Sequence, residues 1–227
     1  MFLIITRISK TGPAFLAELV HWQQLMKPVI KTLGLVDYIA THQSMQSFTD
    51  QRTPQTRDEI WQLEHAPVYT LGRNANRSNF IAQHDIEVVQ SDRGGDVTYH
   101  GPGQLIIYCL FDLKRLQLGV KTLVSILEES VIQLLSGFNV RGERLDKAPG
   151  VYVEGQKLAS LGLRVRKGCS YHGIAINVDM DLMPFTYIHP CGLKQMRVTQ
   201  LTVLGIQSSC DQVASQLTNN IIRQVYK

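Results

Sequence analysis

The chain has 227 residues, 44% hydrophobic and 19% charged, and its 23 Lys and Arg against 19 Asp and Glu give a formal net charge of +4. That is enough for one large domain with a buried core, and too apolar for intrinsic disorder. No apolar run reaches the roughly 18 residues a bilayer span needs. The basic residues, densest at Arg164, Arg166 and Lys167, are too few and scattered for a nucleic-acid footprint, so neither a membrane nor a nucleic acid is expected as partner.

Met1–Ile5 are apolar, but Arg7 and Lys10 follow at once without a small-residue cleavage site, so the chain is read as soluble and cytoplasmic. Residues 1–33 are expected to be an N-terminal appendage of unclear role, with an amphipathic stretch over 15–26 ended by Pro28, and residues 34–227 one domain. Gln43–Thr49 reads as helical and Asp58–Glu64 as a strand leading to Pro67. Gln104–Leu113 is nearly all apolar, which suits a strand buried on both faces. Leu123, Ile126, Leu127, Val131, Leu134 and Phe138 fall at helical spacing, with Gly137 near the end. A last helix, capped by Ser208 or Ser209, carries Val213, Leu217, Ile221 and Val225 on one face. The fold class is α/β or α+β: a mixed β-sheet flanked by helices.

Lys157–Val165 and Ser170–Val178 read as two strands joined by the turn Arg166-Lys167-Gly168-Cys169. With the turn centred between Lys167 and Gly168, Gly162 faces Gly173 and Ser160 faces Ala175. Four small side chains then share one sheet face, forming a trough for an extended ligand or a seat for a packed helix. On strict alternation Lys157 is in phase with the apolar row Ala159, Leu161, Leu163 and Val165, where an ammonium either snorkels to the surface or is partly desolvated.

Arg93-Gly94-Gly95-Asp96-Val97-Thr98-Tyr99-His100-Gly101-Pro102-Gly103 packs four glycines into eleven residues just before the buried strand. This describes a loop whose backbone amides approach something closely. It is not a phosphate loop of the nucleotide-hydrolase type, which needs GxxxxGK[ST]. The four cysteines, Cys109, Cys169, Cys191 and Cys210, form no CxxC pair, so they are read as free thiols rather than a zinc or redox site. Cys191, between Pro190 and Gly192, projects from a turn and is the best candidate nucleophile; Cys109 reads as core. A thiol still needs an activator, because only the thiolate attacks. His100, His172, His189 and Lys157 are the candidates.

RGGDVTYHGPGQ, GVYVEGQKLASLGLRVRKGCSYHGIAINVDMDL, the IHPCG turn and EIWQLEHAPVYTLGR together resemble the octanoyltransferases of lipoate biosynthesis, from about Leu35 to near Gly205. The resemblance implies the catalytic-domain fold shared by lipoate- and biotin-protein ligases. It implies transfer of an octanoyl group from acyl carrier protein to a lysine of a lipoyl domain or of the glycine-cleavage H protein. Cys191 takes the position of the cysteine that carries the acyl thioester, and Lys157 that of its acid/base partner. The family's substrate-binding segments fall on Arg93, Gly94, Gly95, Asp96, Val97, Thr98, Tyr99 and His100, on Ser160, Leu161 and Gly162, and on Gly173, Ile174 and Ala175. No metal or other cofactor is implied, since thioester to amide is downhill without ATP. Two competing readings are an ATP-dependent lipoate-protein ligase, which needs no nucleophilic cysteine, and a non-catalytic acyl-binding module.

Overall fold

Residues 27–226 are described by the structure, a computed structural model, apart from 84, 147, 190–195 and the side chain of Arg77. The amphipathic stretch expected over 15–26 lies outside them, and so does the Pro190-Cys191-Gly192 turn. The strands are β1 (Val29–Val36), β2 (Glu59–His65), β3 (Val68–Leu71), β4 (Glu87–Gln90), β5 (Val97–His100), β6 (Gln104–Leu110), β7 (Glu143–Leu145), β8 (Ala148–Val153), β9 (Gln156–Arg166) and β10 (Cys169–Asn177). The helices are α1 (Tyr38–Asp50), α2 (Val120–Ser136) and α3 (Cys210–Val225). Seven strands make one mixed sheet in the order β1-β2-β6-β10-β9-β8-β7, and β4-β3-β5 make a second, smaller one. Among the described residues no helix is long and apolar enough to cross a membrane.

β1 pairs parallel with β2 from Val29 onward, so residues 29–33, expected in the N-terminal appendage, belong to the sheet. α1 starts five residues before the expected Gln43 because the Asp37 side chain caps it, accepting from Ala40 N–H at 2.8 Å. Ser209 rather than Ser208 caps α3, in a reciprocal capping box with Gln212. α2 and α3 lay their apolar stripes, Leu123, Leu127, Val131 and Leu134 with Val213, Leu217, Ile221 and Val225, on one face of the large sheet, against Ile107, Cys109, Ile174 and Ile176. At roughly 1.5–3 kcal/mol for each fully buried large apolar side chain, this face is the main source of stability.

The opposite face carries Trp61, Leu63, Ile106, Tyr108, Tyr171 and Ala175, with Met45 of α1 packed among them. The small sheet contributes its own cluster of Tyr69, Leu71, Val97 and Tyr99, closed by Met180, Phe185 and Ile188. The candidate site lies between this sheet and the large one.

Candidate active site

The hairpin register is the expected one: Gly162 pairs with Gly173 and Ser160 with Ala175. All four line a narrow pocket whose other side is Arg93, Gly95, Asp96, Val97, Thr98 and His100. The paired small residues of β9 and β10 thus form one wall of the pocket and the Arg93–His100 segment the other. The trough is narrower than expected at both glycines. A methyl group on Gly173 would fall 2.0 Å from the Ile107 carbonyl oxygen, so glycine is needed there for β10 to lie against β6. At Gly162 the overlying Arg93 Cδ would be 3.0 Å away.

Arg93-to-Gly103 is not a continuous loop. Val97–His100 forms β5, antiparallel to β3, because Val97 and Tyr99 alternate into the small sheet's core. Arg93, 8% exposed, organises the loop: Nη2 donates to the carbonyls of Thr70 (2.7 Å) and Asp96 (2.8 Å), Nε to Thr70 Oγ1 (3.2 Å) and Nη1 to the Gly94 carbonyl (3.0 Å). Asp96 accepts from Asn79 Nδ2 at 2.7 Å and from Val97 N–H at 2.7 Å. These two charged groups hold the loop shape around the pocket.

Lys157 departs from the alternation. Val151 pairs with Ala159 but Tyr152 pairs with Lys157, so Leu158 is an extra residue in β9, a bulge. Leu158 and Ala159 both enter the helix-side core, and Lys157 is turned to the other face, with its partner Tyr152. There it is 1% exposed, with Nζ 5.4 Å from the centroid of the Tyr152 ring. A methyl group on Gly150 would meet Lys157 Cε at 2.8 Å and Nζ at 3.4 Å; Gly150 pairs with Ser160, so the lysine leans toward the pocket row. Lys157 therefore does not snorkel.

The chain on either side of residues 190–195 is anchored here. His189 N–H donates to the Asn79 carbonyl at 2.7 Å, and Ile188 bridges Phe80. Beyond, Val198 forms a parallel bridge with Lys157: Lys157 N–H donates to Arg197 O (2.8 Å) and Thr199 N–H to Lys157 O (3.0 Å). Cys191 lies outside the described residues, between two segments fixed to the pocket's surroundings.

A partly buried polar network closes the remaining sides. His172 has φ +61° inside β10, a conformation L-residues avoid, and this places Tyr171 and His172 on one face instead of two. His172 Nε2 and His42 Nε2 each lie 2.9 Å from Asp92 Oδ1, and Tyr171 donates its hydroxyl to Asp92 Oδ2. Burial would raise the Asp92 carboxyl, but these bonds hold it well below the usual carboxylate range. The ligand atoms of His42, Asp92 and His172 lie within 4.8 Å of one another, a composition able to hold a metal ion.

His100 Nδ1 donates to Gln104 Oε1 (2.6 Å), Gln104 Nε2 to Asn177 Oδ1 (2.9 Å), and Asn177 Nδ2 to Thr199 O (2.9 Å). This relay joins the glycine segment to the extended stretch that flanks Lys157. His65 accepts from the Tyr108 hydroxyl at 2.7 Å. Burial lowers His65 and His172 to about 4 and His100 to about 3, so all three are neutral at pH 7.

The structure thus brings Arg93, Gly95–Thr98, His100, Ser160–Gly162 and Gly173–Ala175 around one pocket. Gly94 lies at its edge, its N–H donating to the Leu163 carbonyl, and Tyr99 points away into the small sheet's core. Tyr38, Ile106, Tyr108 and His172 also line the pocket, and Asp92 holds His172. Of these, only His172 was among the residues singled out from the sequence; Tyr38, Asp92, Ile106 and Tyr108 were not.

A family model described as the lipoyl protein ligase A/B catalytic domain matches residues 37–222. The octanoyltransferase of Dechloromonas aromatica is 50% identical over 200 residues, 88% of this chain and 98% of that one. That of Thiobacillus denitrificans is 52% identical over 198 residues, 87% and 91%. Among solved structures, a lipoate-protein ligase A bound with ATP superposes with TM-score 0.73 over 87% of this chain and 85% of that one; its 14% identity makes this a likeness of fold. With a matching model across most of its length and octanoyltransferases at half identity, the chain belongs to the octanoyltransferase branch of the lipoyl protein ligase A/B catalytic-domain family.

Proposed function

We propose that this acyltransferase takes an octanoyl group from the thioester of acyl carrier protein onto Cys191, and passes it to a lysine of a lipoyl domain, including that of the glycine-cleavage H protein. The observation that carries the reading is the bulge at Leu158, which turns an almost fully buried lysine onto the pocket face beside the chain that leads out of the Cys191 turn. A bulge that re-aims one side chain next to a site is a typical functional device. The other three cysteines are poor rivals. Burial pushes the Cys109 and Cys169 thiols up and Cys210 to about 12, and only thiolates attack.

In the first half-reaction the Cys191 thiolate attacks the donor's thioester carbonyl, and backbone N–H groups stabilise the oxyanion. The carbon–sulfur bond to the carrier breaks, and the departing thiolate takes a proton from the Lys157 ammonium. In the second, the acceptor's neutral amine attacks the acyl-cysteine, Lys157 accepts its proton, and the Cys191 thiolate leaves. The acyl chain lies in the trough between Ser160–Gly162 and Gly95–Thr98, with apolar Val97, Ile106 and Ala175 for its methylenes. We place the reaction in the cytoplasm, where Cys109, Cys169 and Cys210 remain free thiols.

The test is transfer from octanoyl carrier protein to a purified lipoyl domain, with and without ATP. The reading expects equal turnover in both. Turnover that appears only with ATP, or only from free octanoate, would assign the chain to ligase chemistry instead.

A further inference from the structure

Three donor atoms from separate elements converge beside the acyl pocket. His42 comes from α1, Asp92 from the chain after β4 and His172 from β10. His42 Nε2 and His172 Nε2 each lie 2.9 Å from the same oxygen, Asp92 Oδ1. With bonds of about 2.0–2.1 Å, a tetrahedral cation holds its donors about 3.3 Å apart. Each nitrogen would need to retreat from the oxygen by only about 0.4 Å to admit one.

The surroundings fit an ion better than they fit protons alone. The positive φ of His172 sets it on one face with Tyr171, whose hydroxyl donates to the other carboxylate oxygen, Oδ2. That bond fixes the carboxylate and leaves Oδ1 to the two imidazoles, as outer hydrogen bonds do around metal ligands. Hydrogen bonds from both rings to Oδ1 would require N–H on each Nε2. Gln46 Nε2, itself a donor, lies 3.2 Å from the His42 nitrogen and 3.3 Å from Asp92 Oδ2, so two donors would then meet. Turning the Gln46 amide over sets its oxygen against the carboxylate instead. A cation on Oδ1 takes both nitrogen lone pairs and leaves the amide to Oδ2.

Two imidazoles and one carboxylate suit zinc and its transition-metal neighbours, whereas magnesium and calcium take oxygen sets. His172 is buried, but the Asp92 side chain is 30% exposed, so an ion can enter there and complete its coordination with water. We propose that His42, Asp92 and His172 form a binding site for a zinc-class divalent cation, tying α1 to the pocket wall that His172 lines. Neither Cys191 nor Lys157 is a ligand, so this inference stands apart from the transfer reading.

The experiment titrates Zn²⁺ into chelator-stripped Cys191→Ala protein, which keeps zinc off the proposed nucleophile. One equivalent is expected to bind and to raise the thermal midpoint by about 5–10 °C at 100-fold excess over Kd, while Mg²⁺ gives no shift. Adding His42→Gln should abolish the zinc shift. Tyr171→Phe, which keeps all three ligands, should weaken binding about 10- to 100-fold, and it serves as the test if the His42 variant does not fold. Co²⁺ in place of zinc should give visible bands without a thiolate charge-transfer band. No binding, an undiminished shift in the His42→Gln protein, an equal shift with Mg²⁺, or a thiolate band would overturn the assignment.

Discussion

Replacing Gly150 by alanine perturbs Lys157 without touching it. Gly150 has φ +147°, and holding a non-glycine residue in such a region costs about 1–3 kcal/mol. The added methyl would sit 2.6 Å from the Ala159 carbonyl oxygen, which the β8–β9 ladder fixes, and 2.8 Å from Lys157 Cε, which can give way. Overpacking of this kind adds roughly 1–3 kcal/mol, for a total near 2–6 kcal/mol. That leaves a folded but weakened protein if total stability is in the usual range of about 5–15 kcal/mol. To reach an ordinary contact of 3.4 Å, Cε must retreat by 3.4 − 2.8 = 0.6 Å or the strand must move. Misplacing a catalytic group by about 1 Å can cost 10²-fold, so octanoyl transfer should drop about 10- to 100-fold, in kcat rather than KM. The assays are urea unfolding, and transfer rate at a temperature where the variant is folded. A folded Gly150→Ala protein within about twofold of wild-type kcat would refute the claim that this lysine is positioned for catalysis.

Lys157→Arg keeps a cation that does not give up its proton, so acyl-enzyme formation should persist while transfer to the acceptor slows by about 10²–10⁴-fold; single-turnover assays of each half-reaction check this, and near-normal transfer would leave Lys157 a purely electrostatic role. Gly173→Ala should lower the unfolding midpoint markedly, because its methyl meets the Ile107 carbonyl at 2.0 Å; a stable variant with only a raised donor KM would mean the glycine serves the ligand slot alone. His65 and His172, lowered by burial from 6.5 to about 4, bind fewer protons folded than unfolded, so their contribution is complete above pH 6.5 and declines as pH falls toward 4. Between pH 6.5 and 5 the unfolded histidine goes from half to almost fully protonated while the folded one stays neutral, about 1.5 kcal/mol for each; thermal unfolding at the two pH values measures it, and an unchanged midpoint would show these histidines to be more hydrated than the structure indicates.

The register of the Lys157–Val178 hairpin was legible because a short glycine-containing turn leaves few alternatives, although each strand's ends fall one residue from those expected. The buried Gln104 strand and the faces of α2 and α3 were legible from their apolar periodicity. Lys157 was placed on the wrong face because a bulge shifts the phase by one residue and nothing in Lys157-Leu158-Ala159 marks it. The turned backbone of His172 is equally silent: histidine tolerates positive φ better than most side chains, but nothing in Tyr171-His172-Gly173 says that it is used here. β5 was hidden inside a glycine-rich motif whose local signal is turn, and only its pairing with β3 makes Val97–His100 extended. Asp92, Tyr38 and Tyr108 reach the site through tertiary packing and have no spacing to betray them. The cysteine and lysine roles came from family resemblance, since 34 residues of separation carry no geometric information.

The measurement closest to the central claim is intact mass after mixing the enzyme with octanoyl carrier protein alone, followed by peptide mapping. One octanoyl adduct is expected, sensitive to hydroxylamine, on the peptide holding Cys191, lost in a folded Cys191→Ala protein and discharged on adding a lipoyl domain. An adduct on Cys109, Cys169 or Cys210, or normal transfer by Cys191→Ala, would contradict it.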